Sequence, residues 1–232
     1  MYRQIIVREI PMLLAASTVF VRMVLDKQVI QWEGWVLFAG IITYVISSLR
    51  QSKNEAAPED SADFTPGEIA KAKNSTSAGI ALSCLWVILG LLALKFGSSW
   101  LVESGSIVAI EFGVSQAIIG LLLLAFGTSL PELATSIVAA RKGQGDIITG
   151  NAVGSCIFNL LAVIGITSMV SSLTATDISW LDMGVMLGVL IIITPMMWIG
   201  GRLSRLEGGI LLALYLSYTV ARFLLDKGMT NV

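Results

Sequence analysis

Glu132 is an acid inside a stretch that otherwise reads as lipid-soluble, and the residues around it are oxygen donors. Thr128 and Ser129 come just before it, Pro131 adjoins it, and Ser155 and Asn159 follow in the next apolar run. A carboxylate, hydroxyls, a side-chain amide and main-chain carbonyls make up the hard-donor set that suits Ca2+ and Na+. Reversible cation coordination is the chemistry these residue types support. Much other chemistry is excluded, because the chain has no histidine. That removes Ser-His and Cys-His nucleophile pairs, imidazole zinc sites and the commonest proton shuttle.

The elements that must position these groups follow from local sequence. Proline inside a helix removes a backbone donor and clashes with the preceding turn, so the run through Gly127, Thr128 and Ser129 should break at Pro131. The carbonyls of Ala125 to Gly127 are expected to lose their helical partners and to line protein or a polar cavity. Glu132 falls about 6 Å past the midpoint of a span placed at 115–140, at 1.5 Å per residue. A carboxylate that deep must be paired, protonated or cation-bound. The half-helix starting at Pro131 points its positive end at Glu132, which favours the ionised form; a neutral glutamic acid held inside a bundle is the plainer alternative. In the following span Gly150, Asn151, Gly154, Ser155 and Asn159 put small and oxygen-bearing residues into an apolar helix. Ser155 and Asn159 are expected to share one face, and Gly150 and Gly154 form a G-x-x-x-G pattern that permits close helix packing.

The whole chain fits this membrane setting. Of 232 residues 55% are apolar and only 13% charged, and the mean hydropathy is +0.82, whereas soluble domains carry about 25% charge. The net charge of -1 leaves no basic excess to attract nucleic acid. Cys84 and Cys156 lie in apolar runs and read as packing residues rather than a disulfide or thiolate site. Charge-free runs of membrane length predict about seven spans, near 10–26, 32–49, 77–96 with a continuation to about 110, 115–140, 147–171, 183–199 and 207–225. The expected fold class is therefore all-α, a polytopic membrane protein. Arg3 and Arg8 before the first run also fit a signal peptide, but apolar character resumes after Arg22.

Residues 50–76, rich in charge and proline, read as a solvated linker. Within it Thr65, Pro66 and Glu68 could start a short helix. The linker divides the chain into two spans (1–49) and five (77–232). Ten Lys and Arg lie on one side of the predicted spans (Arg3, Arg8, Arg50, Lys53, Lys71, Lys73, Arg141, Lys142, Arg202 and Arg205) and four on the other (Arg22, Lys27, Arg222 and Lys227). The positive-inside rule then puts the N-terminus and linker in the cytoplasm and the C-terminus outside, in a plasma or inner membrane. Lys95, Glu103 and Glu111 read as charges on a long tilted helix that snorkel to the outer interface. Trp32, Trp35, Trp180 and Trp198 read as interfacial anchors.

The segments GTSLPEL (127–133), Arg-Lys-Gly-x-x-Asp (141–146) and GNAVGSCIFN (150–159) resemble an alpha-repeat of the cation/calcium antiporter superfamily, nearest its sodium/calcium exchanger branch. The resemblance covers residues 120–165. It implies ten spans in two inverted halves, each contributing one repeat, so that residues 77–232 would form the second half. It also implies that Glu132 is the acidic ligand for Ca2+, shared with Na+. Thr128, Ser129, Ser155 and the Ala125 carbonyl would bind Na+ or shape its site, and Asn159 would fill the last polar position. Asn159 in place of an aspartate favours potassium independence, and Gly154 in place of an acid disfavours proton coupling.

Two departures accompany the resemblance. Cys156 stands where the family usually has Asn, and the first alpha-repeat with its second glutamate is missing. One carboxylate falls short of the 6 to 8 oxygens Ca2+ takes, which implies a truncated exchanger that works only with the missing half or another chain supplying a second repeat. A non-transporting membrane subunit is the alternative. Gly143 to Asp146 also spell the G-x-G-D of intramembrane aspartyl proteases, but no span interior supplies a second aspartate.

Overall fold

The computed structural model describes residues 5–54, 77–114, 119–176, 178–200 and 203–230. It is almost wholly helical, as the apolar runs require. In chain order a π-helical turn (Ile5–Glu9) leads into α1 (Ile10–Val24), followed by β1 (Gln28–Val29), α2 (Gln31–Asn54) and α3 (Ser77–Glu111). Then come a π-helical segment (Ile119–Leu124), α4 (Ala125–Thr128), α5 (Leu130–Arg141) and α6 (Gly145–Phe158). A further π-helical segment (Asn159–Val163), α7 (Ile164–Val170), β2 (Leu173–Thr174), α8 (Trp180–Gly200) and α9 (Arg205–Thr230) complete the order.

Among the described residues, five stretches are long and apolar enough to cross a bilayer: Gln31–Arg50, Gly79–Glu111, Gly145–Val170, Trp180–Trp198 and Arg205–Leu225. The other two expected spans are also helical but divided, the first into a π-helical turn and the 15 residues of α1, the fourth by the break after Thr128. The fold class is thus an all-α polytopic membrane protein. Helix α2 runs on to Asn54, past the expected start of the linker at residue 50. The rest of the linker, including the Thr65, Pro66 and Glu68 start signal, lies outside the described residues.

The chain forms two compact units, residues 1–50 with 145–232, and residues 51–144. In the first, Leu13, Ala16, Met23, Leu37, Ile41, Ile157, Leu160, Leu161 and Ala162 make a buried cluster from α1, α2, α6 and the π-helical segment after it. Its tightest crossing joins α2 to α7. A Cβ on Gly34 would lie 2.6 Å from Ser168 Oγ and 2.8 Å from the Gly165 carbonyl oxygen, so both glycines let two backbones meet. The Gly154 side of α6, by contrast, has open space around it. Close packing in this unit therefore uses Gly34 and Gly165, which no pattern in the sequence singled out.

Polar contacts gather at two ends of the first unit. At one end Arg8 donates to the hydroxyls of Ser47 and Ser48. At the other, β1 pairs antiparallel with β2, Gln28 opposite Thr174, and Lys27 Nζ donates to the Ile178 carbonyl. This two-residue ladder is too short to read from sequence.

At the end of α8, Asp182 Oδ1 accepts from Arg222 Nε at 3.0 Å and Tyr218 Oη at 2.8 Å, while Oδ2 accepts the Ser179 N–H at 2.7 Å. Both charged side chains are 11% exposed. Asp182→Ala removes the hydrogen bonds that Arg222 and Tyr218 donate to a charged acceptor, at a cost of about 2 to 3 kcal/mol. Thermal unfolding in detergent of Asp182→Ala, Arg222→Met and the double variant checks this. The double variant should recover part of the loss, and strict additivity would show that the pair does not hold α8 to α9.

Both cysteines are exposed on helix exteriors, contrary to the packing role expected of them. Trp32, Trp35, Trp180 and Trp198 are exposed near helix ends, where interfacial anchors belong.

Candidate functional site

The second unit holds the break. Helix α4 ends at Thr128, and Ser129 has φ -92° and ψ 4°, a bridge conformation outside the helical basin. Helix α5 restarts at Leu130 with Pro131 in its first two positions and Glu132 in its first turn. Proline is tolerated there because the first-turn N–H groups lack helical partners anyway. Glu132 is half-buried, with its Oε2 atom fully so, and the N-terminus of α5 favours a negative charge there.

The expected loss of partners at Ala125 to Gly127 is not what the break produces. The Ala125 carbonyl accepts the Ser129 N–H at 3.3 Å and the Thr128 hydroxyl at 3.0 Å, and the Phe126 carbonyl accepts the Ser129 N–H at 3.1 Å. The Gly127 carbonyl is capped as well. The chain solves the problem by closing α4 with its own cap. Thr128 spends its proton on Ala125, so its oxygen remains an acceptor.

Ala125 and Thr128 thus precede the break at Ser129 and Glu132 follows it, all within one compact unit. Ser155 and Asn159 lie in the other compact unit. Ser155 is half-buried in α6, and Asn159 is exposed where the helix widens to a π-helical turn. The segment between them, through Phe158, is α-helical, and the wider turn begins at Asn159. The π-helical segments at Ile119–Leu124 and Asn159–Val163 flank the candidate residues of both spans, and no local residue pattern announced them. Among the described residues, no group of three or more Cys, Asp or Glu side chains gathers that could hold a metal ion.

Gly127 sets how closely α3 approaches the break. A Cβ there would lie 2.0 Å from Val102 Cγ2, and one on Gly105 would lie 3.0 Å from Leu123. Gly127→Ala should thus overpack the crossing at a cost of about 1 to 3 kcal/mol. Because the obstacle is one side chain, Val102→Ala should restore most of the loss in a thermal-melt comparison of the single and double variants. A melt of Gly127→Ala equal to wild type would contradict the crossing.

A broken helix carrying a half-buried carboxylate at the restart, with hydroxyls at the break, thus lies within an all-α polytopic membrane fold. Comparison with known proteins gives the family. Residues 82–224 match the sodium/calcium exchanger protein family, and the chain belongs to that family of transporters. It is 31% identical to CaxA of Alkalimonas amylolytica, an antiporter by its name, over 93% of this chain and 67% of the relative. It is 28% identical to the inner membrane protein YrbG of Escherichia coli (82% and 58%) and 28% identical to the sodium/calcium exchanger MaX1 of Methanosarcina acetivorans (83% and 57%). The chain thus spans between 57% and 67% of the length of these relatives. No solved structure matches it significantly.

Proposed function

We propose that this chain takes part in secondary active exchange of Na+ for Ca2+, as a transporter with no enzymatic role. The reading is carried by Glu132, an acid with a buried oxygen at the first turn of α5, directly after the break. Thr128, Ser129 and the Ala125 carbonyl supply neutral oxygens beside it, and Ser155 and Asn159 supply more from α6 and the turn after it. Ca2+ and Na+ are the transported ions, and lipid is the solvent. Residues 77–232 act as one inverted-repeat half, and residues 1–49 as the end of the other.

A single carboxylate with neutral donors binds Ca2+ weakly, so full activity needs a second set of oxygens, as another alpha-repeat would supply. The excess of Lys and Arg puts the N-terminus and the 50–76 linker in the cytoplasm of a plasma or inner membrane and the C-terminus outside.

Sodium-gradient-driven uptake of radiolabelled Ca2+ into reconstituted vesicles tests this. Uptake is expected when a chain bearing the complementary repeat is present and absent with this chain alone. Uptake by this chain alone would remove the need for a second repeat. Uptake in neither case would leave the non-transporting subunit as the better reading.

A further inference from the structure

A cavity of about 260 Å³ lies between α3 and the helix break, lined by Ser98, Ser99, Val102, Glu103, Leu124, Gly127 and Thr128. By liquid volume it has room for about eight waters, or a cation with much of its hydration shell. All these residues belong to the second unit, so the cavity is formed within one compact body.

Its position changes the meaning of Glu103. From sequence this acid reads as a charge on a long tilted helix that snorkels to the outer interface. The close approaches of Val102 to Gly127 and of Gly105 to Leu123 instead fix an antiparallel register in which residue 103 faces Ala125 and Phe126. Glu103 therefore sits within about one helical turn of Thr128 in depth, inside the Gly79–Glu111 stretch. Glu103 is exposed rather than buried, and an acid within so apolar a stretch is costly in lipid unless it is paired, protonated or cation-bound.

The neutral groups around it suit a cation. Ser98 donates its hydroxyl proton to the Lys95 carbonyl at 2.9 Å and Thr128 donates its own to Ala125 at 3.0 Å. Hydroxyls whose protons are engaged elsewhere keep lone pairs for a cation. With Glu103 they form a hard-oxygen set on the α3 side of the break.

We propose that this cavity is a second cation position, with the Glu103 carboxylate as its charged ligand and Thr128 shared with the Glu132 site. It rests on the reading of Glu132 and Thr128 as cation ligands. A hard cation, Ca2+ or Na+, would pass through it on the way to or from Glu132, and the shared threonine makes the two positions adjacent.

Calcium titration calorimetry of the whole chain in lipid nanodiscs tests this with Glu103→Gln, Glu103→Asp and Glu132→Gln. Glu103→Gln should weaken Ca2+ binding about tenfold, because affinity follows ligand charge, and Glu103→Asp should retain most of it. Unchanged binding in Glu103→Gln, with loss in Glu132→Gln, overturns this inference and leaves the main site standing. Weakening by Glu103→Gln with no effect of Glu132→Gln keeps the cavity as a site and overturns the reading of Glu132. No saturable Ca2+ binding by the wild-type chain overturns both. Equal helical content of all variants by circular dichroism confirms that each comparison is between folded chains.

Discussion

Glu132→Gln is expected to lower the Ca2+ affinity of the nanodisc-embedded chain about a hundredfold, or ~2.7 kcal/mol, without lowering its melting temperature. The first half follows from charge. Glu132 is the acid at the helix restart, and the Ala125, Thr128 and Ser129 oxygens beside it are neutral, so the amide leaves a divalent ion with no counter-charge at the break. The second half separates a ligand from a structural group. Burial of the Oε2 atom carries a desolvation cost when the group is charged. Replacing it with an isosteric amide relieves that cost. A glutamate kept for packing would show the opposite pattern, a lower melting temperature with unchanged binding.

Gly34→Val should be the most damaging substitution in the first unit, costing about 3 kcal/mol or more by overpacking. Its Cβ would meet not only Ser168 Oγ at 2.6 Å but the Met169 backbone nitrogen at 2.7 Å and the Gly165 carbonyl oxygen at 2.8 Å. Backbone cannot rotate away as a side chain can. Moving α7 would disturb the cluster that Leu37 and Ile41 of α2 form with Leu160 and Leu161. No truncation of one neighbour should rescue it, in contrast to Gly127→Ala with Val102→Ala. Ser168→Ala in the Gly34→Val background tests the distinction by thermal melting, and full recovery would show that the crossing is a side-chain contact.

The contrast between these two glycines shows which parts of the molecule could be read from sequence. The break at Ser129 was legible because proline acts on its own helix, and Glu132 because an acid in a long apolar run is costly wherever the run folds. The apolar spans were legible for the same local reason. The Gly34–Gly165 crossing was not, since each glycine is ordinary in its own segment and only the packing of α2 on α7 makes it necessary. The Asp182, Tyr218 and Arg222 contacts likewise join two helices, and neither helix alone calls for them. The depth of Glu103 relative to the break was not legible either, because it is set by the register of α3 against Leu123 and Gly127.

The Ala125 carbonyl shows a subtler limit. Proline chemistry correctly located the disturbance but not its repair, because the Thr128 hydroxyl and the Ser129 N–H reach back to cap the carbonyl. An ion at the break would therefore compete with these hydrogen bonds for Ala125, while the oxygens of Thr128 and Glu132 need no such exchange.

The most direct test of the account is Ca2+ titration of the wild-type chain in nanodiscs, repeated in sodium chloride and in an equal concentration of potassium chloride. A carboxylate shared between Ca2+ and Na+ predicts that sodium raises the apparent Kd for Ca2+ severalfold and that potassium leaves it unchanged. Identical titrations in the two salts would contradict a common site for the exchanged ions.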